Sequence, residues 1–244
     1  ERLAAVGETV AGLAHGIKNV LQGLEGGVYV LKTAVESDDT ELTQQGWEML
    51  EENVDRISTY VRDFLNFAKG HEPNVEPTDP LKVAKEVFDL YRDVAERAGI
   101  KLVFEPQGEV DSANLDHEGI HVCLSNLVSN AIDACEISDN PTCEVRLSVY
   151  DRNGALFFEV SDDGCGMDYE VKKKVFTTFF STKGTAKGTG LGLLVTRRIT
   201  QQHGGKVLFE STEGEGSTFR LKFPRNRLPE PSGPRQDNGE SLED

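Results

Sequence analysis

Asn126 and Asn130 stand one helical turn apart in the run Asn126-Leu-Val-Ser-Asn130-Ala-Ile-Asp133-Ala, so their amides share a helix face. Amide oxygens are hard ligands suited to Mg2+, a cation that binds mostly through a nucleotide's phosphates. Capping or plain surface asparagines are the alternative. Ser161-Asp162-Asp163-Gly164-Cys165-Gly166-Met167 follows an expected strand. Its glycines let the backbone bend sharply while a carboxylate is held in a pocket. There it can accept from an exocyclic amine such as that of adenine. A simple Asp-Gly turn is the alternative. Gly188-Thr189-Gly190-Leu191-Gly192-Leu193 precedes a helix, with Lys183 and Lys187 just ahead of it. Bare N–H groups and a helix N-terminus suit phosphate oxygens. The loop does not follow a first strand in a βαβ unit, so a dinucleotide fold is disfavoured. Gly214-Glu215-Gly216-Ser217-Thr218-Phe219 is a glycine turn in the last expected hairpin.

The elements that must position these residues follow from periodicity. Leu3, Val6, Val10, Leu13, Ile17, Val20 and Leu24 form a heptad seam that continues through Val28, Leu31 and Val35, with a slip near Gly26-Gly27. Ser37-Asp38-Asp39-Thr40 is turn and N-cap chemistry. A second seam runs through Trp47, Leu50, Val54, Ile57, Val61, Phe64 and Ala68. Such a hairpin cannot enclose its own stripes, so two copies forming a four-helix bundle are expected. Counting from Val10 and Leu13 as a and d, His15 falls at f, outside the seam, with Asn19 one turn later. His71, His117, His121 and His203 lack such a setting and read as structural or surface residues.

His71–Pro80, with three prolines, reads as a linker. Helices are expected at 81–98, 117–135 and 191–203, and strands at 101–105, 144–150, 155–161, 206–211 and 217–223. The Asn153-Gly154 signal joins two of the strands. This is an α+β sandwich. Residues 225–244, rich in Pro, Gly and charge, read as a disordered tail.

The formal charge of −16 over 244 residues argues against a protein that grips nucleic acid or an anionic leaflet. No apolar run is long enough to span a membrane and no signal peptide is visible. Residues 36–55 hold eight acids and no base. The cations gather elsewhere, at Lys172, Lys173, Lys174, Lys183, Lys187, Arg197 and Arg198. Cys123, Cys135, Cys143 and Cys165 form no CxxC pair, so buried free thiols in a reducing cytoplasm are expected.

The order of the four motifs resembles the N, G1, G2 and last glycine boxes of the GHKL ATP-binding fold of sensor histidine kinases, over residues 80–224. Val175-Phe176-Thr-Thr-Phe179-Phe180-Ser-Thr-Lys183 is similar to the phenylalanine box. Gly12-Leu-Ala-His15-Gly16-Ile-Lys18-Asn19 resembles the phospho-acceptor box of the dimerisation and histidine-phosphotransfer domain.

The resemblance implies a helical hairpin (1–70) dimerising to a four-helix bundle, a linker (71–80), an ATP-binding α+β domain (81–224) and a tail (225–244). It implies ATP and Mg2+, with Asn130 as metal ligand and Asn126 as a second candidate, Asp133 nearby, and Asp162 reading adenine. Gly164, Gly166, Met167 and Thr218 shape the pocket. Phe179 and Lys183 belong to a lid from Phe176 to Lys187, and Gly188, Thr189, Gly190, Leu191, Gly192 and Leu193 close on the triphosphate.

His15 would accept the γ-phosphoryl group and pass it to a response-regulator aspartate, and Asn19 matches the residue that positions water for dephosphorylation. The implied partners are a second copy, a receiver domain and a sensor segment ahead of Glu1, in the cytoplasm, without nucleic acid or membrane contact. Two positions depart from the pattern: Gly16 replaces the acidic residue after the histidine, and Val20 replaces a proline. A glutamate four residues before the metal asparagine, used by ATP-hydrolysing relatives, is Asn126 here, which disfavours simple hydrolysis. A phosphatase-biased member with weak autokinase, a nucleotide-binding dimeric scaffold and a serine kinase of the anti-sigma type are the rival readings.

Overall fold

In a computed structural model of the protein, residues 2–69, 73–176 and 190–232 are described, and within the first span the side chains of 2–17, 19, 55, 56 and 59–69 are not. The chain divides into two compact units, one of residues 1–71 with 169–195 and one of residues 72–168 with 196–244.

In the first unit, α1 (Arg2–Ser37) and α2 (Thr40–Lys69) form a hairpin. Asp38 ends α1 in the left-handed region (φ 52°), and Asp39 Oδ1 then accepts from Leu42 N (3.0 Å) to cap α2. The face that α1 gives to α2 is built on small residues. A Cβ on Gly27 would lie 2.9 Å from Leu50, and one on Gly46 would lie 2.7 Å from Leu31. Val20, Ala34 and Asn53 are buried, with Asn53 Nδ2 donating to Met49 O (2.7 Å). Of the expected second seam, Trp47 and Val54 are 57% and 54% exposed on the single hairpin, while their neighbours Gly46 and Asn53 face α1. The physical reason is that glycine lets two helices approach more closely than an apolar-to-apolar seam would. Lys172–Lys174 close the short helix α5 (Tyr169–Lys174).

The second unit holds a five-stranded mixed sheet and a two-stranded sheet. The strands are β1 (Val75–Thr78), β2 (Lys101–Phe104), β3 (Ala113–Asp116), β4 (Glu144–Arg152), β5 (Ala155–Asp162), β6 (Lys206–Thr212) and β7 (Gly216–Pro224). The order is β2-β4-β5-β7-β6, with only β2–β4 parallel. Asn153 and Gly154 both have positive φ (52° and 71°), the conformation that the two-residue turn between β4 and β5 requires. Helices α3 (Pro80–Arg97) and α4 (His117–Glu136) pack on the sheet. Asp79 Oδ1 caps α3 by accepting from Leu81 N (2.9 Å), and Pro80 occupies its first turn. The core lies between α4 (Ile120, Leu124, Leu127, Val128) and alternate residues of β4, β5 and β7, among them Val145, Leu147, Phe158, Leu221 and Phe223. The last helix, α6 (Gly192–Gln202), follows the glycine loop.

Two expectations are corrected here. The stretch read as linker contains β1, antiparallel to β3, because Pro77 is tolerated on an edge strand where no ladder N–H is needed. The stretch read as a disordered tail is held in place as far as Ser232. Arg225 pairs with Asp151 and donates to Ser112 O (2.7 Å) and Asp111 O (2.9 Å), while Ser232 N donates to Val75 O (2.7 Å). One guanidinium satisfying three acceptors anchors a segment whose composition alone suggests disorder. Residues 233–244 lie outside the described residues.

Candidate functional site

The N-terminal end of α4 is fixed by a buried histidine. His203 Nδ1 lies 2.7 Å from Ile199 O, and its Nε2 accepts from Asp116 N (2.9 Å), which sets the ring as a neutral Nδ1–H tautomer. His203 thus ties the end of α6 to the start of the helix that carries the asparagines. His117 Nε2 stands 2.7 Å from Glu86 across α3 and α4, and burial lowers the pKa of His121.

Asn126, Asn130 and Asp133 are half-buried on one face of α4. Asn126 Nδ2 donates to Thr196 Oγ1 (3.4 Å). Amide oxygens and a carboxylate in this setting fit a hard divalent cation that keeps most of its shell as water and phosphate.

At the end of β5 the chain folds into a strap, Asp162–Gly166. Asp162 Oδ1 accepts from two backbone donors, Gly164 N (3.1 Å) and Ser217 N (3.2 Å). Both bonds fall on one oxygen, which leaves Oδ2 for a donor from outside. Burial raises the pKa of this carboxyl from 3.8 to about 6, against the pull of the two N–H groups. Gly164 is required by close approach: a Cβ there would lie 2.7 Å from the Ala134 carbonyl and 2.9 Å from Cys135 N. Gly166 has φ +62° and packs on the Thr212 carbonyl. Cys165 N donates to Ala134 O (3.1 Å), and Cys165 O accepts from Gly214 N (2.8 Å). The strap is therefore clamped between the C-terminal turn of α4 and the β6–β7 turn.

Met167 lies directly after the strap and Thr218 faces Ser161 in the β5–β7 register. Gly190 (φ +65°), Leu191, Gly192 and Leu193 lead into α6. Phe179, Lys183, Lys187, Gly188 and Thr189 lie outside the described residues, as do the side chains of His15 and Asn19, whose backbone belongs to α1. Sequence reasoning placed Gly216 and Ser217 in the last glycine turn without a role: Ser217 contributes a backbone N–H, and at Gly216 (φ +108°) a Cβ would sit 2.7 Å from Asp163 Cα. The signal was the strand pairing, which sets Asp162 opposite Ser217.

The cysteine expectation is corrected. Cys135 and Cys143 are joined by a disulfide, since the end of α4 and the start of β4 bring their Cα atoms to 5.7 Å. Cys123 and Cys165 are free, and burial pushes the Cys123 thiol up to about 12.

Residues 115–227 match the family described as Histidine kinase-, DNA gyrase B-, and HSP90-like ATPase. The chain is similar to the signal transduction histidine-protein kinase AtoS of Escherichia coli (strain K12), 31% identical over 227 residues, which make up 93% of this chain and 36% of AtoS. A solved catalytic domain of histidine kinase ThkA is 30% identical with a TM-score of 0.54, covering 62% of this chain and 97% of that one. Histidine kinase ThkA in complex with response regulator protein TrrA is 26% identical with a TM-score of 0.75, covering 92% of this chain and 63% of that one. Fold and site together define an ATP-binding catalytic domain of the GHKL type. The chain belongs to the histidine kinase family. It spans less than half the length of the curated relatives it matches.

Proposed function

We propose that the chain is the catalytic core of a two-component sensor histidine kinase, which moves the ATP γ-phosphoryl group to His15 and then to a response-regulator aspartate. The observation that carries this reading is the Asp162 carboxylate, held by two backbone N–H groups on one oxygen, an arrangement that suits an acceptor for an adenine amine on the other. The residues are proposed to divide the work as follows. Asp162 reads the base, and Gly164, Gly166, Met167 and Thr218 give the pocket its shape. Asn130, with Asn126 as a second candidate and Asp133 nearby, would hold Mg2+, which would supply positive charge against the phosphates. Phe179, Lys183 and Gly188–Leu193 cover the triphosphate. A neutral ring nitrogen of His15 attacks phosphorus in line, so that a P–N bond forms as the bond to the ADP oxygen breaks. Asn19 places water that attacks the partner's phosphoaspartate, so that the acyl phosphate bond breaks and inorganic phosphate leaves.

The proposed working form is a homodimer in the cytoplasm, partnered by a receiver domain. Leu21, Val28 and Val35 on α1, and Trp47 and Val54 on α2, are exposed at heptad spacing on a single hairpin. A stripe of this kind is what a second hairpin would cover in a four-helix bundle. Among the described residues no helix is long and apolar enough to cross a membrane.

Incubation with γ-labelled ATP and Mg2+ tests the reading. Acid-labile, alkali-stable label should appear on the protein, be lost in His15→Ala and, at limiting ATP, fall in Asp162→Asn. Label that persists in His15→Ala sinks the proposal. Gly16 lacks the carboxylate that would take a proton from the imidazole. Gly16→Glu is therefore expected to raise the label above wild type.

A further inference from the structure

The disulfide sits in a cluster with a third ligand atom. The sulfurs of Cys135 and Cys143 and a carboxylate oxygen of Asp163 all lie within 4.8 Å of one another. None of the three has a part in reading the nucleotide. The backbone holds each of them in place. Cys135 is in the last turn of α4, and Cys143 O accepts from Lys101 N (3.1 Å) beside the parallel pair β2–β4. Asp163 Oδ1 accepts from Glu144 N (2.6 Å), Asp163 N donates to Glu144 O (3.3 Å), and Asp163 O accepts from Asn140 Nδ2 (3.2 Å). Asn140 belongs to the loop that the disulfide closes, and its Oδ1 accepts from Thr142 N (3.1 Å). These contacts hold the Asp163 carboxylate within reach of the two sulfurs.

Disulfides are disfavoured where glutathione and thioredoxin keep thiols reduced. Reduction needs a thiol donor: Cys135–S–S–Cys143 and two R–SH give two protein thiols and R–S–S–R. The fixed backbone then leaves two thiols and a carboxylate converging on one point. We propose that the reduced cluster binds a thiophilic divalent cation of the zinc class through Cys135 Sγ, Cys143 Sγ and Asp163, with water in the fourth position. Two thiols and one carboxylate match the ligand types of such a site. Tetrahedral Zn–S bonds of about 2.3 Å place the sulfurs about 3.8 Å apart, a separation reached from the disulfide by side-chain rotation. Binding displaces the two thiol protons to solvent, so disulfide and metal-bound cluster are mutually exclusive states. Each closes the 135–143 loop onto Asp163, the residue next to Asp162.

The test uses the whole chain, reduced with a dithiol and desalted without oxygen, with Co2+ as the probe. Reduced wild type should take up a single Co2+ with a thiolate-to-cobalt charge-transfer band, and Zn2+ should bleach it. Oxidised wild type should show no band. Cys143→Ser should lose it, Asp163→Asn should weaken Co2+ affinity by about tenfold or more, and Cys165→Ser should leave stoichiometry unchanged. Circular dichroism establishes that each variant is folded. Absence of the band in reduced wild type overturns the proposal. So does a band that survives Cys143→Ser or disappears in Cys165→Ser. The readout does not involve ATP, so the outcome is independent of the nucleotide reading.

Discussion

Burial and hydrogen bonding pull the Asp162 carboxyl in opposite directions, and burial prevails, raising its pKa to about 6. For stability the sign is clear. An acid raised in the folded state favours folding below its unfolded value of 3.8, and that contribution is lost as pH rises through about 6. At neutral pH the fold therefore carries a strained, ionised carboxylate. A ligand amine donating to Oδ2 relieves that strain, so nucleotide and proton compete. Affinity for a non-hydrolysable ATP analogue should be flat above about pH 7 and weaken below about pH 6, by at most tenfold per pH unit. Asp162→Asn should weaken binding about 10–100-fold, the scale of a hydrogen bond to a charged group, and should remove the acid limb attributable to Asp162. Calorimetric titrations from acid to neutral pH check both, and an unchanged acid limb in the variant refutes the assignment. Asp162 and its glycines were legible in the sequence because their types are unusual after a strand. Ser217 N–H was not, since every residue but proline offers the same donor. The Cys135–Cys143 pair was not legible either, because a spacing of eight fixes nothing until the end of α4 and the start of β4 are placed together.

Element boundaries were legible wherever local chemistry decides them. Asp79-Pro80 opens α3, Gly99 (φ +73°) follows its end, and Asn153-Gly154 turns β4 into β5. They were obscured where tertiary contact decides, as at β1, which needs β3 to be a strand at all, and at 225–232, which needs Asp151 and the Asp111 and Ser112 carbonyls. The hairpin shows that the face between α1 and α2 and the apolar stripe are different faces of α2. Hydrophobicity scores Trp47 and Val54, but the α1–α2 contact is set by Gly23, Gly27, Gly46 and Asn53. Two glycines on the same helix then respond oppositely to alanine. A Cβ on Gly26 meets only Met49 Cε at 3.5 Å, an ordinary contact, so Gly26→Ala should stabilise the hairpin by about 1 kcal/mol through helix propensity. A Cβ on Gly23 would fall onto the buried Asn53 amide, with Cγ and Nδ2 at 2.7 Å. Overpacking costs about 1–3 kcal/mol and outweighs the propensity gain, so Gly23→Ala should lower the unfolding temperature. Thermal unfolding at one protein concentration decides it, and a Gly23→Ala protein as stable as wild type refutes this account of the packing.

At the scale of the molecule, the charge of −16 and the exposed apolar stripe limit each other. The acids of Glu36–Asp55 share the hairpin with Val35, Trp47 and Val54, so pairing two hairpins brings like charges together as it buries the stripe. Association should therefore strengthen with ionic strength, the reverse of a complex held by opposite charges. The apolar side of the balance can be sized. Trp47 and Val54 are each about half exposed, so covering them gains about 2 kcal/mol per hairpin, and two-fold symmetry counts every residue twice. Trp47→Glu with Val54→Glu should then weaken a dimer by about 4 kcal/mol, or about a thousandfold in Kd. Sedimentation equilibrium in low and high salt measures it. A dimer unmoved by the pair, or one that salt dissolves, would place the dimer contact somewhere other than this stripe. The nucleotide site offers an internal control. Asp162, Gly164 and Ser217 belong to the other compact unit, so the double variant should still bind the ATP analogue with wild-type affinity while its dimer is lost.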